Sequence, residues 1–331
     1  MSEVTATIER FRNLLSLQEA REMSLMASHW LEVERNIQAH IDRLVNEVNF
    51  RLQQGEPVNI TRVMQLEQYQ DMIRQLRMEV IRYNQWATGI ISDAQAQAAR
   101  FGIANSNEII TANYTDRNMV AASFRRLPFE AVEFMVGNAS DGSPLNRLLM
   151  ENYPTTVTRL TQTLINSTAL GVNPRETAKR MVDDMSGNFQ SALTTARTEQ
   201  NRVFREASTQ AAKESGVVDG WIWRAALSGN TCEACLASDG TRHDTNEALD
   251  DHPNGRCFKQ WIVKDLPPLQ VQSGETWFRN QGADEQRRIL GPGKYEAWRD
   301  GLVSFDQFAQ VKQSSRWGNS IQTAPLQSLL N

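Results

Sequence analysis

Two long apolar stripes constrain the fold of this 331-residue chain more than any other feature. Met26, Trp30, Val33, Ile37, Ile41, Leu44, Val48 and Leu52 recur at steps of three and four, which places them on one face of a single long helix. Gln54-Gly55-Glu56-Pro57-Val58-Asn59 breaks the pattern, and Val63, Leu66, Tyr69, Ile73, Leu76, Val80 and Tyr83 resume it. A short break between two such stripes turns them face to face, so residues 1–105 read as a long antiparallel helical hairpin. Two helices bury little without a third. The arm is therefore either self-contained or covered in part by a partner.

Composition removes several classes of function. A net charge of −4, from 35 Lys+Arg against 39 Asp+Glu, argues against a dedicated polyanion binder and leaves only a local basic surface open. No window approaches the roughly 18 consecutive apolar residues of a membrane span. The start, Met1-Ser2-Glu3-Val4-Thr5, has neither the basic nor the apolar region of a signal peptide, so synthesis in the cytoplasm is expected.

The remaining chain divides by texture. Residues 106–215 read as a helical region. Up to about residue 155, Gly102, Asn105, Asn107, Pro128, Gly137 and the run Asn138-Ala139-Ser140-Asp141-Gly142-Ser143-Pro144 punctuate short helical pieces. Leu160, Leu164 and Ile165 then mark a helix ending near Gly171. Asn173-Pro174-Arg175-Glu176 opens the next with an Asn cap and Pro at the first helical position. Met181, Val182 and Met185 are its apolar face and Ser186-Gly187-Asn188 its expected end, with a third helix from about Gln190 to Lys213. At Gly216 the texture changes to a 216–268 unit with strands at Trp221–Ala226 and Phe258–Val263, closed by Pro267-Pro268. Short helices around Gly291-Pro292-Gly293 fill 269–312, and 313–331, rich in Ser and Gln, reads as a flexible tail.

All three cysteines lie between the two strands. Cys232-x2-Cys235 is followed, after sixteen residues, by His252-x4-Cys257. Two close thiolates can grip one side of a tetrahedral metal ion while a His/Cys pair from a second turn supplies the other corners. Sulfur and imidazole favour zinc over Mg or Ca, and an ion can replace the core that a polar thirty-residue excursion lacks. The expected fold is thus mainly α with a small α+β, zinc-stapled unit, its short strands flanking a Cys3His knuckle. His243 is an alternative ligand. Three reduced cysteines that happen to lie near a histidine are the bland alternative. A catalytic zinc would need an open position and usually a Glu base, and the deaminase pattern H-x-E is absent.

Other chemistry is thin. The sequence has no Gly-rich phosphate loop, no G-x-S-x-G and no H-E-x-x-H. Arg197, Thr198 and Glu199 read as the polar face of a helix docking on the neighbouring unit, or alternatively as transferase residues. Arg125-Arg126 and Arg287-Arg288 read as surface pairs, His29 and His40 as solvated or packed, and the eight tryptophans as packing anchors.

Thr231-Cys232-Glu233-Ala234-Cys235, then Asp239-Gly240, then His252-Pro253-Asn254-Gly255-Arg256-Cys257 resemble the signature of the MuF-like minor head proteins, or head morphogenesis proteins, of tailed phages. Ala196-Arg197-Thr198-Glu199 upstream and Ile289-Leu290-Gly291 downstream fit the same layout, so the resemblance covers about residues 155–311. The sequence departs from it at Gly255, where the family pattern H-P-N-C-R-C has a cysteine. The resemblance implies a non-enzymatic virion component made in the host cytoplasm and located inside the head near the portal. Its partners would be the portal and the capsid or scaffold proteins, with double-stranded DNA contacted or accompanied at ejection, and residues 1–105 would be the docking arm. Relatives carry toxin domains after this module, and the roughly sixty residues beyond Val263 are few for one. Two other readings stand beside this one: a zinc hydrolase or ADP-ribosyltransferase-like enzyme centred on Arg197 and Glu199, and a DNA-binding ejection protein.

Overall fold

Helix α1 (Glu3–Gln53) realises the first stripe as a single helix of 51 residues. Met26, Trp30, Val33, Ile37, Ile41, Leu44 and Val48 are buried along it, while Leu52 at the hairpin tip is exposed. The short α2 (Ile60–Gln65) begins where the Asn59 side chain accepts the Arg62 N–H and holds Val63, the chain breaks at Leu66, and α3 (Glu67–Ala112) carries the rest of the second stripe from Tyr69. The computed structural model describes residues 3–112, 130–139, 141–266 and 272–330; Arg125-Arg126, Pro128, Ser140 and Pro267-Pro268 lie outside them. After α4 (Glu130–Glu133) come α5 (Leu145–Met150), α6 (Tyr153–Ala169) and α7 (Pro174–Ser215).

The chain forms two compact units, and α1, α3 and α7 supply residues to both. The first comprises residues 16–94 and 137–197. Its core sets the hairpin stripes against Leu145, Leu149, Leu160, Leu164, Met181 and Met185, so the cover that two helices require comes from later helices of the same chain. Trp30 is fully enclosed, edge-on to Tyr83 with centroids 5.0 Å apart and stacked on Phe189 at 5.7 Å. The Tyr69 hydroxyl meets Thr161 Oγ1 at 3.0 Å, which satisfies a polar group that burial would otherwise strand.

The second unit comprises residues 1–15, 95–136 and 198–331. β1 (Val218–Arg224), α8 (Glu233–Ser238), β2 (Arg242–His243) and β3 (Phe258–Val263) form its centre. The three strands make an antiparallel sheet in the order β2–β1–β3, with Trp221 opposite both His243 and Trp261. Trp221, Trp223, Trp261 and Val263 pack on Ile109 and Ile110 of α3 and Ala212 of α7. The α3–α7 crossing is close because Gly102 lacks a Cβ, which would lie 2.2 Å from the Phe204 carbonyl oxygen and 3.0 Å from the Ser208 nitrogen. One turn on, Ser106 Oγ lies 2.7 Å from both the Ser208 carbonyl oxygen and its hydroxyl, and accepts the Trp261 indole N–H at 2.9 Å. The chain closes with α9 (Gly274–Arg279), α10 (Ala283–Leu290), α11 (Pro292–Arg299), a 3-10 turn at Phe305–Phe308, the hairpin β4 (Ala309–Ser314) and β5 (Gly318–Thr323), and α12 (Leu326–Leu329).

Three local expectations are corrected. Gly102, Asn105 and Asn107 do not break a helix: α3 runs through them to Ala112, because close packing on α7 uses the glycine and Asn105 is buried. Ser186-Gly187-Asn188 does not end one either. α7 is continuous from Pro174 to Ser215, with Asn188 buried and Arg159 Nη1 3.0 Å from where a Gly187 Cβ would stand; tertiary contacts override the weak local propensity. Residues 313–330 are not a loose tail. Val311 pairs with Ile321 in the β4–β5 ladder, and the Ile321 N–H donates to the Asp250 carbonyl at 2.7 Å, so a polar composition marks a solvated hairpin face. The expected mainly helical class with small antiparallel sheets holds. No helix among the described residues is long and apolar enough to cross a membrane.

Candidate metal centre

Each half of the cysteine–histidine cluster is held by its own turn. Cys232 caps α8, and its Sγ accepts the Cys235 N–H at 3.5 Å, so the two thiols share one end of a helical turn. The end of α8 is pinned to β1 by Asp239, whose Oδ1 accepts the Ala225 N–H at 2.6 Å and whose Oδ2 lies 3.2 Å from Arg224. Burial pushes the Asp239 carboxyl up to about 6. The second half is the turn His252-Pro253-Asn254-Gly255, closed by the Gly255 N–H on the His252 carbonyl at 2.8 Å, with Asn254 in the left-handed region at φ 65°.

The two turns bring the donors together. His252 Nε2 lies 3.4 Å from Cys232 Sγ and 3.2 Å from Cys235 Sγ. The ligand-capable atoms form two triads, each within 4.8 Å and sharing Cys235: Cys232/Cys235/His252 and Cys235/Asp251/Cys257. In a tetrahedral site with metal–sulfur bonds near 2.3 Å and metal–nitrogen bonds near 2.0 Å, sulfur and nitrogen stand about 3.6 Å apart. The Cys232, Cys235 and His252 spacing fits one ion, with Cys257 arriving beside Cys235 from β3. The cluster could hold a metal ion.

The four donors perturb one another's protonation. The hydrogen bond to Cys235 and then the partnership with His252 pull the Cys232 thiol down to about 4 against the opposing effect of burial. The same sulfur pushes His252 up to about 9. Cys235 is pushed up, first by its bonds to Cys232 and Cys257 and then by burial. For Cys257 the bond to Cys235 favours the thiolate, but complete burial and the Asp251 carboxylate together outweigh it and raise the group. A bound cation would displace the protons of Cys235, Cys257 and His252.

His243, the alternative ligand, stands elsewhere. Its ring stacks on Trp221 with centroids 4.2 Å apart, and its nitrogens meet Glu247 at 2.9 Å and Thr241 at 2.8 Å. Of the Arg197-Thr198-Glu199 trio, Thr198 contacts the turn that carries His252, its hydroxyl accepting the Asn254 N–H at 3.1 Å. Arg197 pairs with Glu19, and Glu199, 1% exposed, pairs with Arg202 at 2.7 Å. Two residues unmarked by the motif are central. Arg205 donates to the carbonyls of Cys257 at 2.9 Å and Gly255 at 2.7 Å and to Asp251 Oδ2 at 2.7 Å. Asp251 accepts the N–H groups of His252 and Cys257, both at 2.9 Å. The one available signal for Arg205 was its place seven residues after Thr198, two turns along the same face of α7.

Residues 158–259 match the family described as phage Mu protein F like protein. This stretch is a Mu F-like domain. The family it matches is one of phage head morphogenesis. The Mu F-like domain begins within α6, takes in α7, β1, α8 and β2, and closes at Lys259 in β3, so it contains all four cysteine and histidine residues of the cluster. Ile289-Leu290-Gly291 lies beyond it. No curated protein and no solved structure matches the chain.

Proposed function

We propose that this chain is a minor head protein of a tailed phage, a non-enzymatic assembly component that works with the portal and the procapsid interior. Its Mu F-like domain would be locked by one structural zinc on Cys232, Cys235, His252 and Cys257. The observation that carries the reading is the coincidence of the two: the residues matching the family are those that converge into the Cys/His cluster. Three sulfurs and one imidazole suit zinc, which would supply here a fixed four-point cross-link and no reaction chemistry. The cross-link ties α8 to the start of β3, a segment whose own apolar contribution is small.

Partner docking falls to the long helices. Leu17, Leu25, Leu31 and Phe50 are exposed on α1, from 45% for Leu25 to 69% for Leu17, and offer apolar surface to another head protein. Direct duplex binding has weaker support. Arg279, Arg287, Arg288 and Arg299 on the C-terminal helices are paired with Glu275, Glu296, Glu285 and Asp300 and so present little uncompensated charge to phosphates. The test is a virion reconstruction at residue resolution: density for this chain at the portal or inner shell supports the proposal, and its absence from the particle refutes it.

A further inference from the structure

We infer that Asp251 is the positioning residue of the metal centre, and that Gly255 is a glycine in order to leave room for it; the inference rests on the metal reading given above. The Asp251 side chain is wholly buried. Its Oδ1 accepts the His252 N–H at 2.9 Å and stands 3.7 Å from Cys235 Sγ and 3.9 Å from His252 Nε2. Its Oδ2 accepts the Cys257 N–H at 2.9 Å and the Arg205 guanidinium at 2.7 Å. One carboxylate thus fixes the backbone of two donors, touches a third, and is itself fixed by an arginine of α7 that also holds the Gly255 and Cys257 carbonyls. Ligands held by such an outer layer keep their geometry before the ion arrives.

Gly255 supplies the independent observation. A Cβ there would lie 2.1 Å from both Cγ and Oδ2 of Asp251 and 2.3 Å from Oδ1, so the carboxylate could not keep its present position and hydrogen bonds. Yet Gly255 is not among the glycines at positive φ, so its backbone does not itself demand glycine. The requirement is space, and the space is filled by Asp251. Asp251 also stands among the ligand-capable groups beside Cys235 and Cys257, but its oxygens already accept the His252 and Cys257 N–H groups and Arg205, and on the present reading it acts through these neighbours.

The experiment is a zinc competition titration of the full chain and its Asp251→Asn, Gly255→Ala, Arg205→Lys and Asp251→Asn/Gly255→Ala variants. Cobalt(II) absorption reports the coordination sphere, and near-UV circular dichroism of the buried Trp221, Trp223 and Trp261 shows that the unit is folded in each variant. Asp251→Asn puts an amide donor against the Cys257 N–H and Arg205 and should weaken zinc about ten- to a hundredfold, while the cobalt spectrum keeps its four-coordinate thiolate pattern. Gly255→Ala should weaken it comparably, and the double variant should be no worse than the weaker single one, since both changes remove the same carboxylate. If the unaltered chain takes up no metal, the metal reading itself falls. If it binds while the folded single variants stay within about twofold, or the double variant's losses simply add, the positioning role is overturned. A changed cobalt coordination pattern in Asp251→Asn also overturns it, by making Asp251 a ligand.

Discussion

Replacing Gly102 by Ala tests the close α3–α7 crossing on which the metal-bearing sheet rests. On helix propensity alone the change should stabilise α3 by about 1 kcal/mol. The structure reverses the sign. The new methyl would lie 2.2 Å from the Phe204 carbonyl oxygen and 3.0 Å from the Ser208 nitrogen, both backbone atoms that no rotamer can move. Ordinary contact needs the helices to part by about 1 Å, and overpacking of this kind costs about 1–3 kcal/mol. Parting them also stretches the Ser106–Ser208 and Trp261–Ser106 hydrogen bonds, worth about 1 kcal/mol each. The net expectation is a loss of about 1–3 kcal/mol. Gly89, in the same helix with nothing within 4 Å of a Cβ, is the control, and Gly89→Ala should gain about 0.5–1 kcal/mol. Urea unfolding followed by tryptophan fluorescence, with hydrogen exchange along α3, measures both. A Gly102→Ala chain as stable as the original, or more so, would refute the packing argument.

Burial, with Glu19 and Asp93 adding repulsion, pushes Glu22 from 4.5 up to about 7. An acid raised on folding destabilises fully above its folded value and not at all below its ordinary one, so stability should rise as pH falls from 8 to 5. Glu22→Gln should flatten that slope and gain about 1–3 kcal/mol at pH 8 in denaturant titrations. Trp261→Phe leaves Ser106 without its indole donor and should cost about 1 kcal/mol by the same assay. Chelation, or Cys235→Ala, should open residues 228–257 to limited proteolysis while far-UV circular dichroism changes little, because the long helices do not depend on the cluster.

The parts of this fold legible in the sequence are those governed by short-range periodicity. The stripe from Met26 to Val48 became α1, that from Val63 to Tyr83 became α2 and, after a break at Leu66, α3, and Phe258–Val263 became β3 without adjustment, since period and aromatic or branched residues leave few choices. Breaks misled where tertiary contacts overrode local propensity: Gly102 looks like a helix stop but sits against the backbone of α7, and Gly187 lies beside the Arg159 guanidinium within a continuous helix. The polar 313–331 segment hid a hairpin whose pairing is set by backbone and by Ile321, not by composition. At the site, Cys232, Cys235, His252 and Cys257 stood out because their residue types and spacing are rare. Arg205 and Asp251 did not, as an arginine on a helix and one of two adjacent aspartates are ordinary until the fold brings them within hydrogen-bond reach.

The most direct measurement is the metal content of the purified full-length chain, by mass spectrometry of the native protein alongside elemental analysis. The account predicts about one zinc per chain, with Cys232, Cys235 and Cys257 protected from alkylation until a chelator is added. A chain that stays folded without metal and has all three thiols freely reactive would contradict it.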